Sequence, residues 1–249
     1  MYEVAIPSVA RAERITKATL PLLHHGGVPM DHVTIFVPDV ESEDQYADAV
    51  AEFGCKITSG HGIGMREARN AIARSYPEGT QLVEVDDDIT AFKRAVDNKT
   101  LLSLEAGELH ATWQKCFAQA DGHLWCWYPV ANAFFMKGDR VRRGGLWYAV
   151  GALFGYTVVG DDAELVYVDD KEDFERSMRF YLRDGEVVRF DGYTFVTRYY
   201  GEPGGMQLYR SKNTIEAGAR RLAANYPDLC TAYMKKSGRA EVRLKAGHR

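Results

Sequence analysis

Strand and helix signals alternate four times over roughly the first ninety residues, and this constrains the fold more tightly than any other feature of the chain. Val4-Ala5-Ile6 reads as a strand stopped by Pro7-Ser8, and a helix-compatible stretch from about Arg11 to Leu23 runs to the Gly26-Gly27 break. Val33 to Val37 is a second strand closed by Pro38-Asp39, and Glu43 to Phe53 is helical with a Gly54 stop. Cys55 to Thr58 is a short third strand. Gly60, Gly62 and Gly64 then lead a helix from Met65 to Tyr76, closed by Pro77, and the apolar run Leu82-Val83-Glu84-Val85 ends in Asp86-Asp87-Asp88. Such alternation implies a parallel sheet with helices on its faces, the architecture of a nucleotide-binding α/β half. Sheets of this kind bind ligands at the carboxyl ends of their strands, where the loop after the first strand, the glycine-led helix and the aspartates would meet.

The second half is less regular and richer in aromatics, among them Trp113, Trp125, Trp127, Tyr128 and Trp147-Tyr148. Its clearest element is a helix from about Lys171 to Leu182 after the strand-like Leu165 to Val168. With no repeat and no Pro/Ser-rich linker, 249 residues form a single domain: a regular half over 1–100, a second half over 101–234 and a tail over 235–249. Cys55, Cys116, Cys126 and Cys230 lack both a C-x-x-C pair and zinc-finger spacing, which argues against a disulfide framework and for a reducing cytoplasm. The start of the chain has no signal-peptide pattern and no later run spans a bilayer, so we expect neither export nor a membrane anchor. No obligate protein partner is evident. The net charge of −4 hides a tail in which Lys235, Lys236, Arg239, Arg243, Lys245 and Arg249 oppose only Glu241. That tail is compatible with docking to a polyanion such as DNA, and equally with a solvated, partly disordered terminus.

Three adjacent acids repel one another and need either a cation or full exposure to water. Strand alternation would turn Asp86 and Asp88 to one side and Asp87 to the other. Two converging carboxylates at a strand end make a hard-oxygen pocket for Mg²⁺ or Mn²⁺, able in turn to hold a diphosphate; the alternative is a solvated turn. In the glycine-led helix, Arg66 and Arg69 are placed to reach a phosphate and Asn70 a base or ribose, beside N–H groups open to an anion. The spacing departs from a dinucleotide fingerprint. Ser8, Arg11 and Arg14 offer a hydroxyl and two guanidiniums to a uracil, ribose or diphosphate, or else a helix cap followed by solvent-facing arginines. Asp169-Asp170-Lys171-Glu172-Asp173 is a second acidic junction. Its acids fit a dipole-complementing first turn, or a general base, for which Asp173 is the choice with Glu172 behind it. His248 is the one late histidine open to metal ligation. Trp125, Trp127 and Tyr128 could stack on a base, although core packing accounts for most of them.

The strand Val4-Ala5-Ile6-Pro7-Ser8, the strand end Phe36-Val37-Pro38-Asp39, the Ala68-Arg69-Asn70 helix and the strand end Val85-Asp86-Asp87-Asp88 follow the order seen in GT-A-fold glycosyltransferases. Within that fold the chain resembles the TET/JBP-associated glycosyltransferases encoded largely by bacteriophages, strongly over roughly the first ninety residues and loosely beyond. The resemblance implies a mixed sheet flanked by helices and metal-dependent sugar transfer from a UDP-sugar, UDP-glucose being the first choice. It implies as acceptor a hydroxymethyl group of 5-hydroxymethylcytosine or 5-hydroxymethyluracil in DNA, within the cytoplasm of an infected bacterium. By motif position Asp88 would ligate the Mn²⁺ or Mg²⁺ directly and Asp86 would contact ribose or metal, with Asp87 beside them on the donor. Glu172-Asp173 falls where inverting members carry their base. Arg140, Arg142 and Arg143, with the tail, would face the DNA backbone. Other readings are a protein or small-molecule acceptor, a nucleotidyltransferase, although Ser8-Val9-Ala10-Arg11 lacks the glycines of that phosphate loop, and a degenerate non-catalytic binding module.

Overall fold

The computed structural model describes residues 1–197, 205 and 210–245. The first half realises the alternation. Strand β1 (Tyr2–Pro7) leads through helices α1 (Ala12–Lys17) and α2 (Thr19–His25) to β2 (Val33–Phe36), α3 (Val40–Phe53), β3 (Lys56–Thr58), α4 (Met65–Ser75) and β4 (Gln81–Val85). These strands lie in the order β3-β2-β1-β4, all parallel. The local reasons are visible at α3, where Asp39 accepts from the Ser42 N–H at 2.9 Å and Gly54 ends the helix at φ 68°.

Beyond the aspartates come β5 (Ala91–Ala95), β6 (Leu101–Ser103), α5 (Glu108–Ala120), β7 (Trp125–Tyr128), β8 (Val141–Arg142), β9 (Leu153–Thr157), α6 (Glu172–Asp184) and β10 (Val188–Val196). They extend the sheet as β4-β9-β7-β10-β5-β6, with β8 pairing β10. β9 runs antiparallel to both β4 and β7, so the sheet is mixed. In the register of β7 and β9, Trp125 faces Gly155, where a Cβ would come within 2.4 Å of the indole. Glycine is required there by the approach of the ring. Trp113, Trp125 and Trp127 are buried in the main core, so they pack and do not stack on a ligand.

Several expectations are corrected. The stretch Arg11 to Leu23 breaks at Ala18 (φ −122°, ψ −87°) because Thr19 is drawn inward. Its hydroxyl donates to the Asp86 carbonyl at 2.8 Å and accepts from the Ile89 N–H at 3.0 Å, bracketing the aspartates. Leu165 to Val168 joins no sheet. Side chains replace a strand partner there: Asn70 bonds both the N–H and the carbonyl of Val166, and Glu175 accepts from the N–H groups of Tyr167 and Val168.

The basic tail is no free terminus either. After α7 (Lys212–Asn225), strands β11 (Cys230–Met234) and β12 (Ala240–Leu244) form an antiparallel hairpin, so a boundary at 235 falls at its turn. Cys230, Ala240 and Val242 close a satellite core with Ile215, Ala219 and Leu222 of α7. The tail's charges are engaged as well: Lys235 bonds Glu241 at 2.6 Å and Arg243 lies over the Tyr233 ring. His248 and Arg249 lie outside the described residues. All four cysteines are buried and free. Among the described residues, no helix is long and apolar enough to cross a membrane.

Candidate functional site

An open cleft of about 440 Å³ lies at the carboxyl edge of β1 and β4 and is closed on its far side by α6, α7 and the hairpin. Ser8, Arg11, all three aspartates, Glu172 and Asp173 line it together. The acidic clusters at 86–88 and 172–173, far apart in the chain, thus share one space.

The triplet does not alternate as a strand would. β4 ends at Val85, and Asp86 to Asp88 turn out of the sheet, with the Asp86 N–H bonded to the Ala152 carbonyl at 3.0 Å. Asp87 therefore faces the cleft instead of pointing away from it. It is 4% exposed, accepts from the Ser8 hydroxyl at 2.5 Å, and takes the Arg11 guanidinium at 2.9 Å. Tyr46 completes this corner by bonding Ser8 at 2.8 Å and receiving the Arg11 N–H at 3.0 Å. Asp88 accepts from the Thr197 hydroxyl and, at 3.3 Å, from the same Arg11.

Arg69 organises the third carboxylate. This guanidinium, 2% exposed, donates to Glu84 at 2.9 Å, to Asp86 at 3.0 Å and to the Gly151 carbonyl at 2.8 Å. Its position follows from helical spacing, since Met65, Ala68 and Arg69 of α4 line the cleft and fall at i, i+3 and i+4. Arg66 lies off that stripe and pairs with Glu67 at 2.6 Å on the surface. Asn70 is committed to Val166 and is no ligand contact. Arg14 does not line the cleft, and its Nε and Nη2 are buried without a hydrogen-bond partner among the described residues. One of the open N–H groups expected at the start of α4 is also taken: Asp169 Oδ1 accepts from the Arg66 N–H at 3.2 Å and lies 2.6 Å from where a Cβ on Gly64 would stand. The protein supplies its own anion there.

On the opposite wall, Lys171 precedes α6 in a left-handed conformation (φ 73°), and its ammonium bonds Glu241 of the hairpin. Arg210 bonds Asp170, which is 4% exposed. Asp173 Oδ2 accepts from the Tyr148 hydroxyl and from the Gly151 N–H at 3.3 Å. Glu172 is buried, and burial followed by the nearby Asp173 charge pushes its carboxyl up to about 7, against the pull of Arg176 and Arg69. Burial also raises Asp86, opposed by Arg69 and reinforced by Asp88 and Asp87. Its side chain is 29% exposed, so water moderates that rise.

The donor set fits a hard divalent cation in one specific way. Oxygen ligands from adjacent carboxylates are present, and Asp86, raised chiefly by burial, also feels the charges of Asp88 and Asp87 against the pull of Arg69. Among the described residues, no group of three or more His, Cys, Asp or Glu side chains is arranged to hold an ion. An ion would therefore rest on one or two carboxylates, with ligand oxygens and water completing its shell, which is the habit of Mg²⁺. His248 lies outside the described residues and adds nothing to this test.

Arg140 and Arg142 do not present free charge to a polyanion. Both donate to the fully buried Asp191 at 2.7 Å, joined by Arg189 at 2.8 Å, while Arg143 pairs with Glu186 at 2.7 Å. Tyr128 has Arg189 over its ring.

Sequence reasoning named Arg69 without singling it out, and it missed Thr19, Tyr46, Tyr148 and Thr197. One signal for Arg69 was available: Glu84, an acid inside an otherwise apolar strand run, needs a buried cation.

No family model matches the chain, and no curated protein matches its sequence. Its fold is nonetheless shared with solved structures. S. aureus TarS 1–349 superposes with a TM-score of 0.54 at 12% identity, over 78% of this chain and 59% of that one. Glucosyl-3-phosphoglycerate synthase from Mycobacterium tuberculosis, solved with Mn²⁺, UDP-glucose and phosphoglyceric acid, superposes at 0.53 with 11% identity, over 99% of this chain and 89% of the other. The chain thus spans about 59% of the length of TarS 1–349. These likenesses establish the fold as GT-A, a mixed sheet flanked by helices.

Proposed function

We propose that the protein is a metal-dependent glycosyltransferase that takes its sugar from a UDP-sugar, UDP-glucose being the first candidate. One observation carries this reading: three aspartates held by Ser8, Arg11, Arg69 and Thr197 share a cleft with the carboxylates of a second strand-to-helix junction. Glucosyl-3-phosphoglycerate synthase, solved with Mn²⁺ and UDP or UDP-glucose, supports it at the level of fold.

Asp86 and Asp88 would hold Mn²⁺ or Mg²⁺, which when bound supplies the Lewis acidity that neutralises a departing diphosphate. Arg11, fixed on Asp87, keeps a guanidinium at that edge for the nucleotide. Ser8 and Asp87, bonded to each other, set the floor beneath it. Asp173 takes the proton of an acceptor hydroxyl as that oxygen bonds the anomeric carbon. The bond from this carbon to the diphosphate oxygen breaks, and its electron pair leaves with the nucleoside diphosphate. Glu172 stands behind Asp173 as a largely buried acid.

For the acceptor, the resemblance to the phage-encoded TET/JBP-associated glycosyltransferases implies the hydroxymethyl group of 5-hydroxymethylcytosine or 5-hydroxymethyluracil in DNA, in the cytoplasm of a phage-infected bacterium. That resemblance is its sole support, because the arginines expected to face the backbone are engaged with Asp191 and Glu186.

A panel of nucleotide sugars with Mn²⁺ tests the reaction class: slow donor hydrolysis is expected, and the absence of both hydrolysis and a donor-dependent thermal shift would contradict it. Adding DNA that carries either modified base tests the acceptor. A hexose mass increment on the DNA is the expected result, and labelling of protein or small molecules alone would remove DNA from the proposal.

A further inference from the structure

The segment joining β8 to β9 is fastened to the first turns of α6 along its length. The Ala149 N–H donates to Ser177 Oγ at 3.0 Å, and the Ser177 hydroxyl donates to the Asp173 carbonyl at 2.7 Å. Gly151 lies so close to α6 that a Cβ there would stand 3.0 Å from Glu172 Oε1 and 3.7 Å from the Asp173 Cβ. Gly151 is tied to the donor side as well, since its carbonyl takes Arg69, which also holds Asp86.

On this clamped frame two groups converge on one oxygen. The Tyr148 hydroxyl and the Gly151 N–H both donate to Asp173 Oδ2, while Oδ1 receives the Phe174 N–H at 2.9 Å. The Tyr148 ring cannot swing freely, because it stacks on Phe174 with centroids 4.2 Å apart and planes 19° from parallel. Tyr148 and Asp173 both line the cleft.

We infer that Tyr148 is the positioning residue of the site, fixing the orientation of the Asp173 carboxylate through its hydroxyl while the Phe174 stack fixes the hydroxyl. The inference rests on the proposed role of Asp173 as general base. A carboxylate on an aspartate side chain has two soft torsions, and donors on both of its oxygens remove the rotational freedom that would otherwise misaim the proton-accepting lone pair. The stack and the hydrogen bond can be separated by mutation, because Tyr148→Phe keeps the ring and deletes only the donor.

The test uses UDP-glucose hydrolysis in Mn²⁺, with water as the acceptor, together with a crystal structure of the Tyr148→Phe protein. The kcat of Tyr148→Phe should fall about 10- to 100-fold with the donor KM unchanged, a loss in the range of misplaced acid–base groups. In the Asp173→Asn background the same change should cost nothing further, which a packing role would not produce. The crystal structure should show the Asp173 carboxylate rotated from its place. An unmoved carboxylate overturns the inference whatever the activity, and so does an unchanged kcat in a protein whose Asp173→Asn variant is slowed. Wild-type hydrolysis by Asp173→Asn would instead contradict the general-base assignment, leaving the carboxylate geometry as the readout for Tyr148.

Discussion

Arg69 reaches Asp86 at 3.0 Å while donating to the Gly151 carbonyl at 2.8 Å, so one buried guanidinium braces the aspartate turn against the segment that holds Asp173. The third donor goes to Glu84 at 2.9 Å inside the sheet. The two walls of the cleft are therefore connected through the interior as well as by the backbone. Arg176, equally buried, lies over the Phe154 ring at 3.8 Å and reaches Glu172 at 3.9 Å.

Removing Arg69 should cost far more than a surface ion pair. Arg69→Met leaves Glu84 buried with, among the described residues, only the Tyr156 hydroxyl, at 3.2 Å, as a hydrogen-bonding side chain. Breaking a buried pair in this way typically costs about 3–5 kcal/mol. Chemical denaturation should show that loss, and the double variant Arg69→Met with Glu84→Gln should recover part of it. A stability change below about 1 kcal/mol would contradict a bracing role.

Asp87 should not be the cheapest of the three acids to change. Asp87→Ala removes the acceptor of the buried Ser8 hydroxyl and the closer carboxylate of Arg11, which keeps Asp88 at 3.3 Å. A destabilisation of about 1–3 kcal/mol follows from that loss, together with weaker nucleotide binding. Thermal melting and UDP titration measure the two effects. Wild-type values for both would restore the outward-facing Asp87 expected from strand alternation.

Glu172 gives the fold a pH dependence whose sign is fixed. Its folded value, about 7, lies above the ordinary 4.5. Between these values the folded state holds a proton that the unfolded chain has released, so this group's contribution is full below about 4.5 and is lost as pH rises through 7. Glu172→Gln cannot ionise. The melting temperature of the variant relative to wild type should therefore rise between pH 5 and pH 8, by an amount on the order of 1–3 kcal/mol in stability. A difference that stays constant with pH would refute the shift.

The parallel half was legible because β1, β2 and β4 are largely buried on both faces and so read as short apolar runs with polar or proline stops. The aspartates stood out for the same reason, being acids at the end of such a run. What could not be read was direction: a turn begins after Val85, and alternation fails where the sheet ends. Arg66 and Asn70 looked as suitable as Arg69, because a window on α4 shows which residues share a helix and not which stripe faces the cleft. Tyr148 and Thr197 reach the site from distant parts of the chain, with partners 25 and 109 residues away, and no local pattern announces such contacts. The hairpin at the end was hidden by its charges. Lys235 reads as solvated or polyanion-binding until Glu241 is seen between it and Lys171.

Calorimetric titration of UDP into wild-type protein and Asp88→Asn, each with Mn²⁺ and with EDTA, tests the central claim most directly. The account predicts binding by the wild type in Mn²⁺, at least tenfold weakening in EDTA, and no Mn²⁺ dependence in Asp88→Asn. UDP binding that is equally strong in all four titrations, or absent from all four, would contradict a metal- and nucleotide-binding site at Asp86 and Asp88.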